Sequence, residues 1–199
     1  MRIPPFCFSR NIGVGALEVA TIVSEKLGYR VLDREILEYI CQKTQLSQKS
    51  IATFDERYPG RIKEFLCLLL GDTSFDMQTY ARQLFIVSYY LAHTEPTIFV
   101  GRGIHLMLPR SRVFAVRCIC SKDRRIARLA ESLGTGPDDA KNTLDQADGE
   151  QAEFFRKVHG KEKANPSEFD VILNFDHLSD PEVMADAIVF LFRNRFEQS

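Results

Sequence analysis

The chain has almost no net charge. Its 26 basic and 27 acidic side chains leave a formal −1 over 199 residues. No global field therefore draws it to nucleic acid, and any anion site must be local. Long apolar runs are missing too: no stretch reaches the ~20 continuous apolar residues needed to span a bilayer, so no membrane helix is expected. The opening MRIPPF is interrupted by Pro4 and Pro5 and leads into no long apolar stretch, unlike a signal peptide. The expected compartment is the cytoplasm. Repeats and low-complexity segments are absent. The four histidines are dispersed and show no metal-binding spacing. Cysteine is odd in number, five in all, and spread through apolar stretches at Cys7, Cys41, Cys67, Cys118 and Cys120. That usage suits small buried hydrophobes better than disulfides or metal ligands.

What is present is enough apolar material, 45% of residues, to bury a core. The length predicts one domain over residues 1–199, with room for a lid. The N-terminal stretch FCFSRNIGVGALEVATIVSEKLG carries the first chemical signal. An apolar strand over 6–9 runs into a loop with Gly13 and Gly15. A helix is predicted over 15–27, stopped by Gly28. Such a loop can cradle phosphate on its backbone amides at the helix N-terminus. Read alone, it can equally be a tight strand-to-helix turn.

Further along, YRVLD (29–33) reads as a strand and 33–44 as a helix for which Asp33 is an N-cap candidate. Helices are predicted over 61–70 and 76–93, then strands over 97–101 and 112–119. A helix over 122–132 and another from Pro137 to about Val158 follow. The last strand is 169–174 and the last helix begins at Asp180-Pro181. Short apolar strands alternating with helices predict an α/β fold of three layers, a parallel sheet covered on both faces. In such folds ligands sit beyond the carboxyl ends of the strands. Those ends are Ser9-Arg10, Asp33-Arg34, Gly101-Arg102 and Asn174, and three of the four bring an arginine.

The ordered stretches SRNIGVGALEVATIVSEKLG, VLDREIL, FDE (54–56), FVGRGIHLMLP, VFAVRCICSKDRRIARLAE, DQADGEQAEFFRKVHG and FDVILN cover most of the chain. Together they resemble the cytidylate-kinase-like proteins, a branch of the P-loop nucleoside monophosphate kinases. The resemblance implies a five-stranded parallel sheet with a helical lid over about 122–165. It also implies an ATP donor with Mg²⁺, and a monophosphate acceptor, CMP or dCMP first. Nucleotides are the implied partners. By position, Ser9, Arg10, Gly13, Val14 and Gly15 would face the donor phosphates. Asp33, Arg34 and Arg102 would face the acceptor, and Arg124, Arg128 and Asp148 would belong to the lid.

Several positions depart from the pattern. Ala16 stands where a P-loop has lysine, a loss common within the branch, and Leu17 and Glu18 replace the hydroxyl residues that follow. Val100 replaces the acidic residue before GR, which leaves the metal ligands unassigned. The lid reads Asp148-Gly149-Glu150-Gln151 where the branch favours Asp-Lys-x-Arg. Arg10 is the candidate substitute cation and, with Arg102, the candidate catalytic pair; a solvated loop arginine is the alternative for Arg10. Arg124, Arg125 and Arg128 could serve the donor or form a solvated basic face. Tyr80, Phe85, Tyr89, Tyr90, Phe154 and Phe155 suit packing, and the 76–93 helix could also pack between copies in a homo-oligomer. A nucleotide-binding regulatory protein with little turnover is the alternative to a kinase.

Overall fold

The computed structural model describes residues 3–33 and 75–197. The helices expected over 33–44 and 61–70, the FDE stretch, Arg34, Cys41 and Cys67 lie outside them.

Strand β1 (Phe6–Ser9) is buried along its whole length, as a central parallel strand must be. It leads through a loop to helix α1 (Ala16–Leu27) and strand β2 (Arg30–Leu32). Gly28 ends α1 in the left-handed conformation, and its N–H caps the Ser24 carbonyl. Next come helix α2 (Phe75–Thr94), strand β3 (Thr97–Val100) and strand β4 (Phe114–Ile119). The chain ends with helices α3 (Lys122–Leu133) and α4 (Pro137–His159), strand β5 (Val171–Asn174) and helix α5 (Pro181–Phe196).

Boundaries expected from periodicity hold to within two residues. Strand β4 starts two residues late because Arg110–Arg112 forms a 3₁₀ turn. A second turn over Pro166–Glu168 delays β5 in the same way.

The five strands are all parallel, in the order β2-β3-β1-β4-β5. Alternation splits the sheet between two cores. Phe6, Phe8, Ile98, Val100, Phe114 and Val116 face α1 and α5, joined by Val19, Val23, Ile188 and Phe192. Cys7, Phe99 and Ala115 face α2 and α4, joined by Leu84, Phe85, Tyr89 and Phe155. A helical layer on each face gives the predicted three-layer architecture. Cys7 and Cys118 are buried thiols, as their apolar settings predicted, and burial pushes the Cys118 pKa up to about 12.

A third, smaller core joins α3 to α4 through Leu129, Ala140 and Leu144, and Ile12 of the β1–α1 loop packs into it. This contact joins α3 and α4 to the glycine loop. Among the described residues no helix is long and apolar enough to cross a membrane.

Candidate functional site

The site lies where the theory of parallel sheets places it. Strand β1 has β3 on one side and β4 on the other; the chain runs from β1 to the β2 edge, and from β3 it crosses to β4 on the opposite side. A cleft of about 490 Å³ opens beyond the strand ends. Ser9 and Arg10 reach it from β1, Asp33 from β2, Arg102 from the turn after β3, and Glu150 and Gln151 from α4.

The loop before α1 depends on its two glycines. Gly13 has φ +81 and Gly15 has φ +97, a region that side-chain-bearing residues rarely adopt. A Cβ on Gly13 would lie 2.8 Å from the Arg125 carbonyl oxygen, and one on Gly15 would lie 2.8 Å from an Arg128 terminal nitrogen. Gly15 is the N-cap of α1, and no side chain caps the helix there. The first N–H groups of α1 therefore present the positive end of the helix dipole to a ligand. Val14 is buried, so it has only backbone to offer.

A network of side chains fixes this loop. Arg117, inward on β4, donates to Ser9 Oγ at 2.8 Å and to Asn11 Oδ1 at 2.6 Å. Asn11 Nδ2 donates to Asp148 at 3.1 Å. Arg125 grips both oxygens of Asp148, at 2.9 and 2.6 Å, and its Nε donates to the Ile12 carbonyl at 2.7 Å. Burial alone would raise the Asp148 pKa, but the hydrogen bonds from Arg125 and Asn11 outweigh it and hold the carboxyl below its ordinary range. Gln151 Nε2 donates to the Arg10 carbonyl at 3.0 Å. Arg128 pairs with Glu18 on the first turn of α1, at 3.3 Å.

The turn after β3 is built differently. Gly101, Arg102 and Gly103 have φ of +95, +55 and +66, and Arg102 is the one non-glycine at positive φ among the described residues. That backbone costs about 1–2 kcal/mol for a side-chain-bearing residue. The Gly101 N–H is tied to the Phe8 carbonyl at 2.8 Å. The Arg102 guanidinium carbon lies 4.4 Å from the Phe154 ring centre and 5.9 Å from that of Tyr80. Such stacking packs the guanidinium against the two aromatic rings.

The predicted residues thus fall into groups. Ser9, Arg10, Asp33 and Arg102 share the cleft; Gly13, Val14 and Gly15 are not among the residues lining it, although Ile12 and Leu17 on either side of them are. Asp148 and Arg125 brace the loop, and Arg128 lies over Gly15. Arg124 is not among the residues lining the cleft; its N–H takes the α3 cap from Ser121. Arg34 lies outside the described residues. Sequence reasoning missed Arg117, Asn11 and His159. Arg117 left a signal: a charge inside the apolar run RVFAVRCI needs a partner when buried. Among the described residues no group of three histidine, cysteine or acidic side chains is placed to hold a metal ion.

The model of the cytidylate kinase-like family matches residues 6–177. No curated protein matches the chain. Among solved structures, an uncharacterized protein from Eubacterium ventriosum ATCC 27560 is similar with a TM-score of 0.74 and 17% identity, covering 98% of this chain and 99% of that one. A gluconokinase from Sinorhizobium meliloti 1021 gives 0.55 at 14% identity, covering 98% and 97%. A shikimate kinase from Acinetobacter baumannii, in complex with shikimate, gives 0.52 at 12% identity, covering 98% and 95%. The shared architecture is the P-loop kinase fold.

Proposed function

We propose that this chain, which belongs to the cytidylate kinase-like family, transfers the terminal phosphoryl group of ATP to a nucleoside monophosphate, with CMP or dCMP the first acceptors to try. One observation carries the reading: the uncapped, glycine-formed N-terminus of α1 lies at the edge of the same cleft that Arg102 enters from β3. A donor phosphate on the loop amides and an acceptor phosphate on Arg102 would meet in one cleft. Phosphoryl transfer asks the protein mainly for that positioning and for charge near the moving group.

In this reading Arg10 supplies the cation that Ala16 cannot, and Asp33 meets the acceptor from β2. Mg²⁺, carried in on the nucleotide, would neutralise phosphate charge. The donor set fits an ion of that kind and not a protein-caged one: Asp33 and Glu150 line the cleft, and Mg²⁺ usually takes one or two carboxylates with phosphates and water. The chain acts as one unit over 1–199, with the segment at about 122–165 as its lid.

A second reading has a specific observation behind it. The lid position where the branch favours arginine is Gln151, whose amide is spent on the Arg10 carbonyl. Arg125 is likewise spent on Asp148 and Ile12. A nucleotide-binding regulatory protein with little turnover would look like this. A thermal-shift and ADP-release panel over nucleotides with Mg²⁺ separates the two. Turnover on a monophosphate supports the kinase, whereas tight binding without ADP release supports the regulatory protein.

A further inference from the structure

We infer that His159, the last residue of α4, is a positioning residue that holds Arg102 in its anion-binding pose. The inference deepens the proposed function, since it rests on Arg102 serving as the acceptor-phosphate ligand.

Arg102 has an unfavourable backbone, and something must hold it there. Its carbonyl lies 3.0 Å from His159 Nε2. A carbonyl only accepts, so Nε2 carries the proton and the ring donates. The same nitrogen lies 2.5 Å from where a Cβ on Gly103 would sit. Only glycine lets the imidazole close over the turn, so Gly103 and His159 form one fitted contact. The ring is held in turn by Phe155 and Phe154, with centres 5.0 and 5.9 Å away. Phe154 also lies against the Arg102 guanidinium. The final turns of α4 therefore hold Arg102 at both ends: Phe154 stacks on its charged head and His159 bonds its backbone.

Burial lowers the His159 pKa to about 4, so the ring stays neutral near pH 7 and adds no second cation beside the guanidinium. The anion-binding charge stays on Arg102. Three left-handed residues in a row would otherwise relax readily, because the two glycines impose no side-chain restraint of their own.

The test uses the full chain and the variants His159→Leu, His159→Gln, Arg102→Ala and Arg102→Lys. Glutamine keeps an N–H donor at similar reach, and leucine has none. CMP is the acceptor probe, and steady-state kinetics with ATP and Mg²⁺ give KM for each substrate. His159→Leu should raise KM for CMP about 5- to 10-fold, the scale of one hydrogen bond. KM for ATP should stay within about 2-fold, and His159→Gln should recover most of the loss. A second readout needs no activity. The Arg102 side-chain Nε–H signal in NMR, assigned by its disappearance in Arg102→Lys, should be displaced by the Phe154 ring. It should shift in His159→Leu and return in His159→Gln. An unmoved signal in His159→Leu, or equal effects of leucine and glutamine, overturns the inference. If the wild-type chain neither binds nor phosphorylates CMP while Arg102→Ala changes nothing, the proposed function has failed. The NMR signal then decides the inference alone.

Discussion

At the scale of single residues, the proposed function asks different things of two arginines that line the cleft. Arg102 is stacked, braced and aimed into the cleft, so its expected contribution is to binding. Arg102→Ala should weaken monophosphate binding by about 2–3 kcal/mol, the worth of a charge-assisted hydrogen bond, with the melting temperature nearly unchanged. Calorimetric titration with CMP measures it, and an unaltered affinity would remove Arg102 from the acceptor site. Arg10 lines the same cleft from the start of the glycine loop. A phosphoryl group in transfer needs a nearby cation, and Ala16 offers none. Arg10→Ala should lower kcat about 10²-fold, the scale of a lost transition-state donor. Arg10→Lys should recover only part, because a point charge replaces a planar fork. Wild-type turnover in Arg10→Ala would rule out the substitute-cation role.

At the scale of elements, the glycine loop is fastened to α3 and α4. Asp148 joins α4 to α3 through Arg125 and to the loop through Asn11. Asp148→Ala would leave the Arg125 guanidinium, 9% exposed, against the Ile12 carbonyl without its carboxylate. Removing a partner from a fully buried pair costs ~3–5 kcal/mol, and the partial exposure of Asp148 reduces the expectation to about 2 kcal/mol. Denaturant unfolding measures it; a loss below about 0.5 kcal/mol would mean the clamp is ornamental. Gly13→Ala should be worse for the loop than for the rest of the molecule. The new methyl would meet the Arg125 backbone 2.8 Å away, at a φ that alanine avoids. Strands and helices were legible in the sequence because their signals are local: apolar alternation, Pro137 at a helix start, Gly28 at a helix end. Ser9, Arg10 and Arg102 were legible because the strand ends of a parallel sheet mark the ligand crevice. The Arg117–Asn11–Asp148–Arg125 network was not. Its members are separated by up to 137 positions, and nothing in a single sequence records which distant side chains meet.

At the scale of the whole molecule, buried histidines shape the response to acid. His105 is 4% exposed, stacks on Phe169 with ring centres 4.7 Å apart, and burial lowers its pKa to about 4. The unfolded chain, with an ordinary histidine pKa near 6.5, takes up the proton first. The stability contributed by neutral His105 is therefore complete above about pH 6.5 and is lost as pH falls through about 4. The loss at pH 4 should be about 3 kcal/mol for this residue. The lowered Asp148 pKa acts in the same direction in a more acid window, since its contribution is present above about pH 4 and disappears below. Unfolding free energies between pH 7 and about 3 check both windows, and His105→Phe should flatten the slope between pH 7 and 4. The fold alone does not decide activity. The layers, the sheet order and the crevice suit phosphoryl transfer, yet Gly149 and Gln151 of α4 offer no cation. The most direct test of the central claim is ADP release by the wild-type chain with ATP, Mg²⁺ and each nucleoside monophosphate in turn. The account predicts ADP release that depends on the monophosphate, fastest with CMP or dCMP and lowered about 10²-fold in Arg10→Ala. Binding of ATP and CMP with no monophosphate-dependent ADP release would contradict it.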